Sequence, residues 1–73
     1  MTEKKINQTI SHQLVKVREE LGYTQMKVQK DKIIKQSALS KIENGVKNIS
    51  AAKLFVLANY YKKPIEYFFE NGK

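Results

Sequence analysis

Gln36, Ser37, Ser40 and Lys41 are hydrogen-bonding side chains crowded into one short stretch, and their chemistry is that of groups that pair with base edges and phosphate oxygens. Leu39 and Ile42 fall three apart among them. A helix over this stretch turns those two apolar residues to one side and the polar four to the other. The stretch closes a longer segment, Thr24 to Gly45, TQMKVQKDKIIKQSALSKIENG, whose apolar spacing describes two short helices separated by a tight break. Val28 anchors the first of them.

Charge supports the same kind of partner. Fourteen Lys and Arg against seven Asp and Glu leave +7 on 73 residues, a balance that favours a polyanion. The excess peaks in the middle: residues 24–48 hold six basic and two acidic side chains, whereas residues 1–23 hold four and three. Solubility alone also accounts for a lysine-rich surface, so charge does not decide the function.

Other chemistries find little to build on. There is no cysteine, so there is no disulfide, thiolate nucleophile or cysteine metal site, and the single His12 makes no cluster and reads as a surface residue. No paired nucleophile and base or phosphate-cradling glycine loop is present, so no catalytic residue, metal or cofactor is expected. The N-terminal MTEKKINQTISHQL has no continuous apolar run and reads as neither signal peptide nor membrane span. The basic residues lie opposite only short apolar stripes, which argues against a membrane surface as the partner. A cytoplasmic location is expected.

The elements that must position the polar face follow from periodicity. Ile10, Leu14, Val17 and Leu21 form one apolar face of a helix that Gly22 closes; Ile6 extends the stripe by a turn, with Asn7 or Thr9 as competing N-caps. Thr24 caps a second helix, about 25–31. A third runs from Gln36 to Asn44 and stops at Gly45. Ser50 caps a fourth, in which Leu54, Leu57, Ala58 and Tyr61 share a face. Pro64 suits the first turn of a short fifth helix carrying Ile65, Phe68 and Phe69. Nothing pairs as strands, and the tail Glu70–Lys73 is expected to fray. The reading is a single all-α, five-helix domain over residues 1–73, ordered from about 7 to 69.

With these elements in place, the chain resembles the phage-repressor-like, Xre-type helix-turn-helix domain. The matching residues are Val17-Arg18-Glu19-Glu20-Leu21-Gly22-Tyr23-Thr24-Gln25, then Leu39-Ser40-Lys41-Ile42-Glu43-Asn44-Gly45, then Ser50, Leu54, Leu57 and Ala58, and finally Pro64 to Phe69. The alignment runs without a gap from about Ile10 to Phe69. A Leu-Gly-x-Thr-Gln start combined with an Ile-Glu-x-Gly finish is specific, whereas either piece alone is weak.

The resemblance implies that the second motif helix lies in the major groove while the first grips phosphate. It implies that Gln25 bonds a phosphate, that Lys35, Gln36 and Ser37 open the recognition helix, and that Ser40 and Lys41 form its next exposed turn. It assigns Asn44, the backbone near Gly45, Lys47 and Asn48 to a phosphate-contacting loop. Lys27, Lys30 and Lys32 read as a generally attractive surface. Arg18 and Glu43 match an internal ion pair between the first helix and the recognition helix.

The chain departs from the family at the break. Gln29 replaces a small alanine, so the helix pair widens or the side chain turns outward. Lys32 replaces a core leucine, and Ile33 replaces the turn glycine, where a β-branched residue at positive φ is strained. A remodelled turn is expected, one form of which rotates Ile33 inward and lays the lysine stem along the surface. Ile49 stands where a proline is usual.

The implied function is a sequence-specific regulator of double-stranded DNA, a repressor acting as a homodimer on a palindromic operator. Phe55, Val56, Tyr60 and Phe69 exceed what the core stripe needs and are the expected dimer contacts. The rival reading is an antitoxin-like or anti-repressor module whose main partner is another protein and whose DNA binding is secondary.

Overall fold

Thr2 opens the first helix: its hydroxyl accepts the Lys5 backbone N–H at 3.2 Å, and Glu3 follows where a carboxylate meets the positive end of the helix dipole. In the computed structural model, which describes residues 2–70, α1 therefore spans Glu3–Glu20. It starts before Asn7 and Thr9, the N-caps expected from sequence, and before residue 7. α2 spans Gln25–Lys30, α3 Gln36–Glu43 and α4 Ala51–Tyr60. Thr24 and Ser50 cap α2 and α4 as expected, accepting the N–H groups of Lys27 and Lys53 at 3.0 and 3.1 Å.

The fifth helix is a correction. Ile65–Phe69 forms a 3-10 turn, so the described residues hold four α-helices, this turn and no strand. Pro64 is extended at ψ 147° and precedes the turn, and the closing bonds, Tyr67 N–H to the Pro64 carbonyl and Glu70 N–H to the Tyr67 carbonyl, span only three residues. Of the tail expected to fray, Asn71 to Lys73 lie outside the described residues.

All four α-helices stop by the same device. The residue after each C-cap takes a left-handed conformation, and its N–H and the next one return to carbonyls of the last turn. Gly22 and Gly45 do this at φ 73° and 77°, as their positions suggest; Lys32 and Lys62 do it at 62° and 61°. The strained position in the break is thus Lys32 and not Ile33. An unbranched side chain tolerates positive φ better than a β-branched one, and the shift lets Ile33 pack against the core in the expected inward position.

Ile10, Leu14 and Val17 of α1 meet Val28, Leu39 and Ile42 of the central helices, Leu54, Leu57, Ala58 and Tyr61 from α4 and its cap, and Phe68. Leu21, expected in this core, is 41% exposed because it is the C-cap of α1, past the last helical turn. Buried Gln13 ties α1 to the C-terminal turn through Nε2, which donates to the Tyr67 and Glu70 carbonyls at 3.3 and 3.0 Å. Ser11 ties α1 to the end of α3, donating to the Ile42 carbonyl at 2.8 Å.

Candidate nucleic-acid interface

Gln25 and Gln36 open α2 and α3, and the turn between those helices brings their side chains together: Gln36 Nε2 donates to Gln25 Oε1 at 2.8 Å. Gln25 Nε2 donates in turn to Glu43 Oε1 at 2.8 Å. Glu43 receives Arg18 Nε on its other oxygen at 2.8 Å and Arg18 Nη2 on Oε1 at 3.0 Å. Arg18 Nη1 reaches the Tyr23 carbonyl at 2.7 Å. Four side chains thus connect the end of α1 to the first turn of α3. The Glu43 side chain is only 3% exposed, so these donors replace the water that its oxygens lose on burial. The hydrogen bond to Glu43 holds the Arg18 guanidinium above its ordinary range.

This arrangement alters the expected part of Gln25. Its Oε1 and one Nε2 hydrogen are committed within the chain, which makes it first a support for Gln36. Gln36 itself is half-buried. Its Oε1 accepts no hydrogen bond among the described residues, and Nε2 keeps a second hydrogen.

The exposed face of α3 carries Ser37 and Lys41, with Lys35 exposed at its N-cap. Ser40 is half-buried, and Asn44 Nδ2 stands 3.5 Å from its hydroxyl, at the limit of a hydrogen bond. Asn44 and Lys47 are exposed where the chain leaves the helix. Neither carboxylate of residues 24–48 offsets the lysines of this face: Glu43 is turned inward to Arg18, and Asp31 is held by Lys27 at 3.1 Å and by Tyr60.

A family model described as helix-turn-helix matches residues 14–68, from the middle of α1 to the C-terminal turn. The chain belongs to the Xre-type helix-turn-helix family. This is a family of DNA-binding transcription regulators and not of enzymes. No curated protein and no solved structure matches the chain significantly. Among the described residues of this helix-turn-helix protein, no helix is long and apolar enough to cross a membrane, and no group of His, Cys, Asp and Glu is placed to hold a metal ion.

Two contacts at the helix-turn-helix break escaped sequence reasoning. Gln29 is turned outward, and its Oε1 accepts the Gln36 backbone N–H at 2.7 Å. Lys53 Nζ reaches from α4 to the Ile33 carbonyl at 2.9 Å. One signal for the first was available: Lys35 precedes the recognition helix and has no acceptor with which to cap it.

The four residues expected at a dimer contact separate into two kinds. Phe55, Val56 and Phe69 are 55, 40 and 45% exposed. Tyr60 is half-buried and engaged with its own chain, its ring 5.6 Å from Tyr23 and 5.4 Å from Tyr61, its hydroxyl donating to Asp31 Oδ2 at 2.5 Å. Burial and the adjacent carboxylate push the Tyr60 phenol up to about 12, while the Tyr60 and Lys27 hydrogen bonds hold the Asp31 carboxyl below its ordinary range. Lys27 also lies 5.0 Å over the Tyr23 ring, so this lysine is already partnered.

Proposed function

We propose that this protein is a cytoplasmic, sequence-specific repressor that binds a palindromic double-stranded operator as a homodimer. The chain of hydrogen bonds from Arg18 through Glu43 and Gln25 to Gln36 carries the proposal. It holds one amide at the start of α3 with an acceptor and a hydrogen to spare, the pattern that complements N6–H and N7 of adenine. Lys41 reaches guanine or phosphate one turn later. Lys35, Ser37 and Ser40 complete the groove-facing side, while Asn44 and Lys47 meet phosphate beyond it. Gln25 takes part through Gln36, with its remaining Nε2 hydrogen available to a phosphate oxygen.

One recognition helix reads only a few base pairs, so useful specificity calls for two copies. Phe55, Val56 and Phe69 are the dimer contacts in this reading, with Tyr60 at their margin. The same exposed apolar residues support the second reading, in which an antitoxin-like or anti-repressor module offers them to a different protein.

Selection of bound DNA from a random pool, paired with sedimentation of the free protein, tests both. A palindromic consensus, affinity that falls steeply with salt, and a dimer that Phe55→Asp converts to monomer are the expected results. Affinity that is flat with salt removes the phosphate contacts. A monomer that copurifies with a stoichiometric second protein favours the interaction module.

A further inference from the structure

Helix α3 begins without a cap of its own. Lys35 occupies the N-cap position in an extended conformation, and its side chain makes no capping hydrogen bond. The first N–H groups of a helix need acceptors, and here one comes from outside the helix. Gln29, in the last turn of α2, supplies Oε1 to the Gln36 N–H at 2.7 Å.

Gln25 and Gln29 stand four residues apart and therefore share one face of α2. Between them they hold Gln36 at both ends, Gln25 by its side-chain amide and Gln29 by its backbone. The break between the helices is also tied to α4 by Lys53, which bonds the Ile33 carbonyl. We propose that Gln29 is a positioning residue for sequence readout: it fixes the first turn of the recognition helix so that the Gln36 amide is presented to DNA in one orientation. The inference rests on the reading of α3 as the DNA-reading helix. It concerns a residue that touches Gln36 rather than a base.

Gln29→Ala and Gln29→Glu in the full chain test it. Gln29 is exposed on its helix and alanine is a better helix former, so the alanine variant folds, which its melting temperature checks. Glutamate keeps the acceptor at nearly the same reach. Hydrogen exchange of the Gln36 amide in the free protein reads the cap directly: protection is expected in the wild type and Gln29→Glu and lost in Gln29→Ala. On the oligonucleotide selected from a random pool, Gln29→Ala is expected to lower the ratio of specific to non-specific affinity by roughly fivefold, the effect of losing a typical cap. Non-specific affinity and its salt dependence stay unchanged, and Gln29→Glu restores the ratio. A Gln36 amide that remains protected in Gln29→Ala overturns the proposal, as does lost protection with an unaltered specificity ratio. A wild-type protein with no preferred sequence at all is a different result and overturns the recognition reading itself.

Discussion

Arg18 and Glu43 lie 25 residues apart in sequence and are joined by two hydrogen bonds, Nε to Oε2 at 2.8 Å and Nη2 to Oε1 at 3.0 Å. The pair locks the end of α1 to the end of α3, and Gln25 takes the remaining capacity of the same carboxylate. Removing the guanidinium leaves a buried carboxylate with Gln25 as its remaining side-chain donor. Arg18→Ala is therefore expected to cost about 3 kcal/mol in urea denaturation, and replacing both partners by apolar residues to cost less than that single change. A double variant less stable than Arg18→Ala would show that the bridge matters for more than satisfying Glu43.

The support that Gln25 provides predicts coupling in DNA binding. Gln36→Ala is expected to relax discrimination at particular base pairs. Gln25→Ala, which a phosphate contact alone would make uniformly weakening, is expected to relax the same base pairs as well. In a double-mutant cycle the two changes then combine less than additively by about 0.5–1 kcal/mol. Strict additivity would return Gln25 to an independent phosphate contact.

Tyr60 and Asp31 make stability depend on pH at both extremes. The fold holds the Tyr60 proton more tightly than the unfolded chain does, so that contribution is complete below the ordinary tyrosine value of about 10 and is lost as pH rises through about 12. Asp31 acts in the opposite sense: its lowered pKa contributes stability above the ordinary carboxylate range that disappears as pH falls through the folded value. The gap in urea midpoint between wild type and Tyr60→Phe is therefore widest near neutrality and closes in strong acid and strong base. A gap that persists undiminished in acid would separate the effect from Asp31.

Lys62 closes α4 at φ 61°, a conformation that costs an L-residue energy and glycine very little. Lys62→Gly is expected to stabilise the protein by about 0.5–1 kcal/mol after the extra entropy of unfolded glycine is counted, raising the melting temperature by about 2–8 °C. An unchanged or lower melting temperature would mean that the lysine side chain contributes contacts that offset the strain.

The sequence alone determined most of the framework, because its signals are local. The 3.6-residue periodicity of Ile10, Leu14 and Val17, the capping hydroxyls of Thr24 and Ser50, and the glycines at 22 and 45 act on backbone within a turn or two of themselves. The same locality explains the misreadings. Leu21 keeps the periodicity of α1 but falls beyond the helix that would bury it, and the apolar spacing of Ile65, Phe68 and Phe69 does not distinguish an α-helix from the 3-10 turn whose bonds close over three residues. The end of α2, which has no glycine, was decided by tertiary structure: Lys32 accepts the left-handed position because doing so turns Ile33 to the core and its carbonyl to Lys53. So was the arrangement at the recognition helix. Linear spacing identified Gln25, Gln29 and Gln36 as polar, but only the packing of α2 on α3 made two of them hold the third.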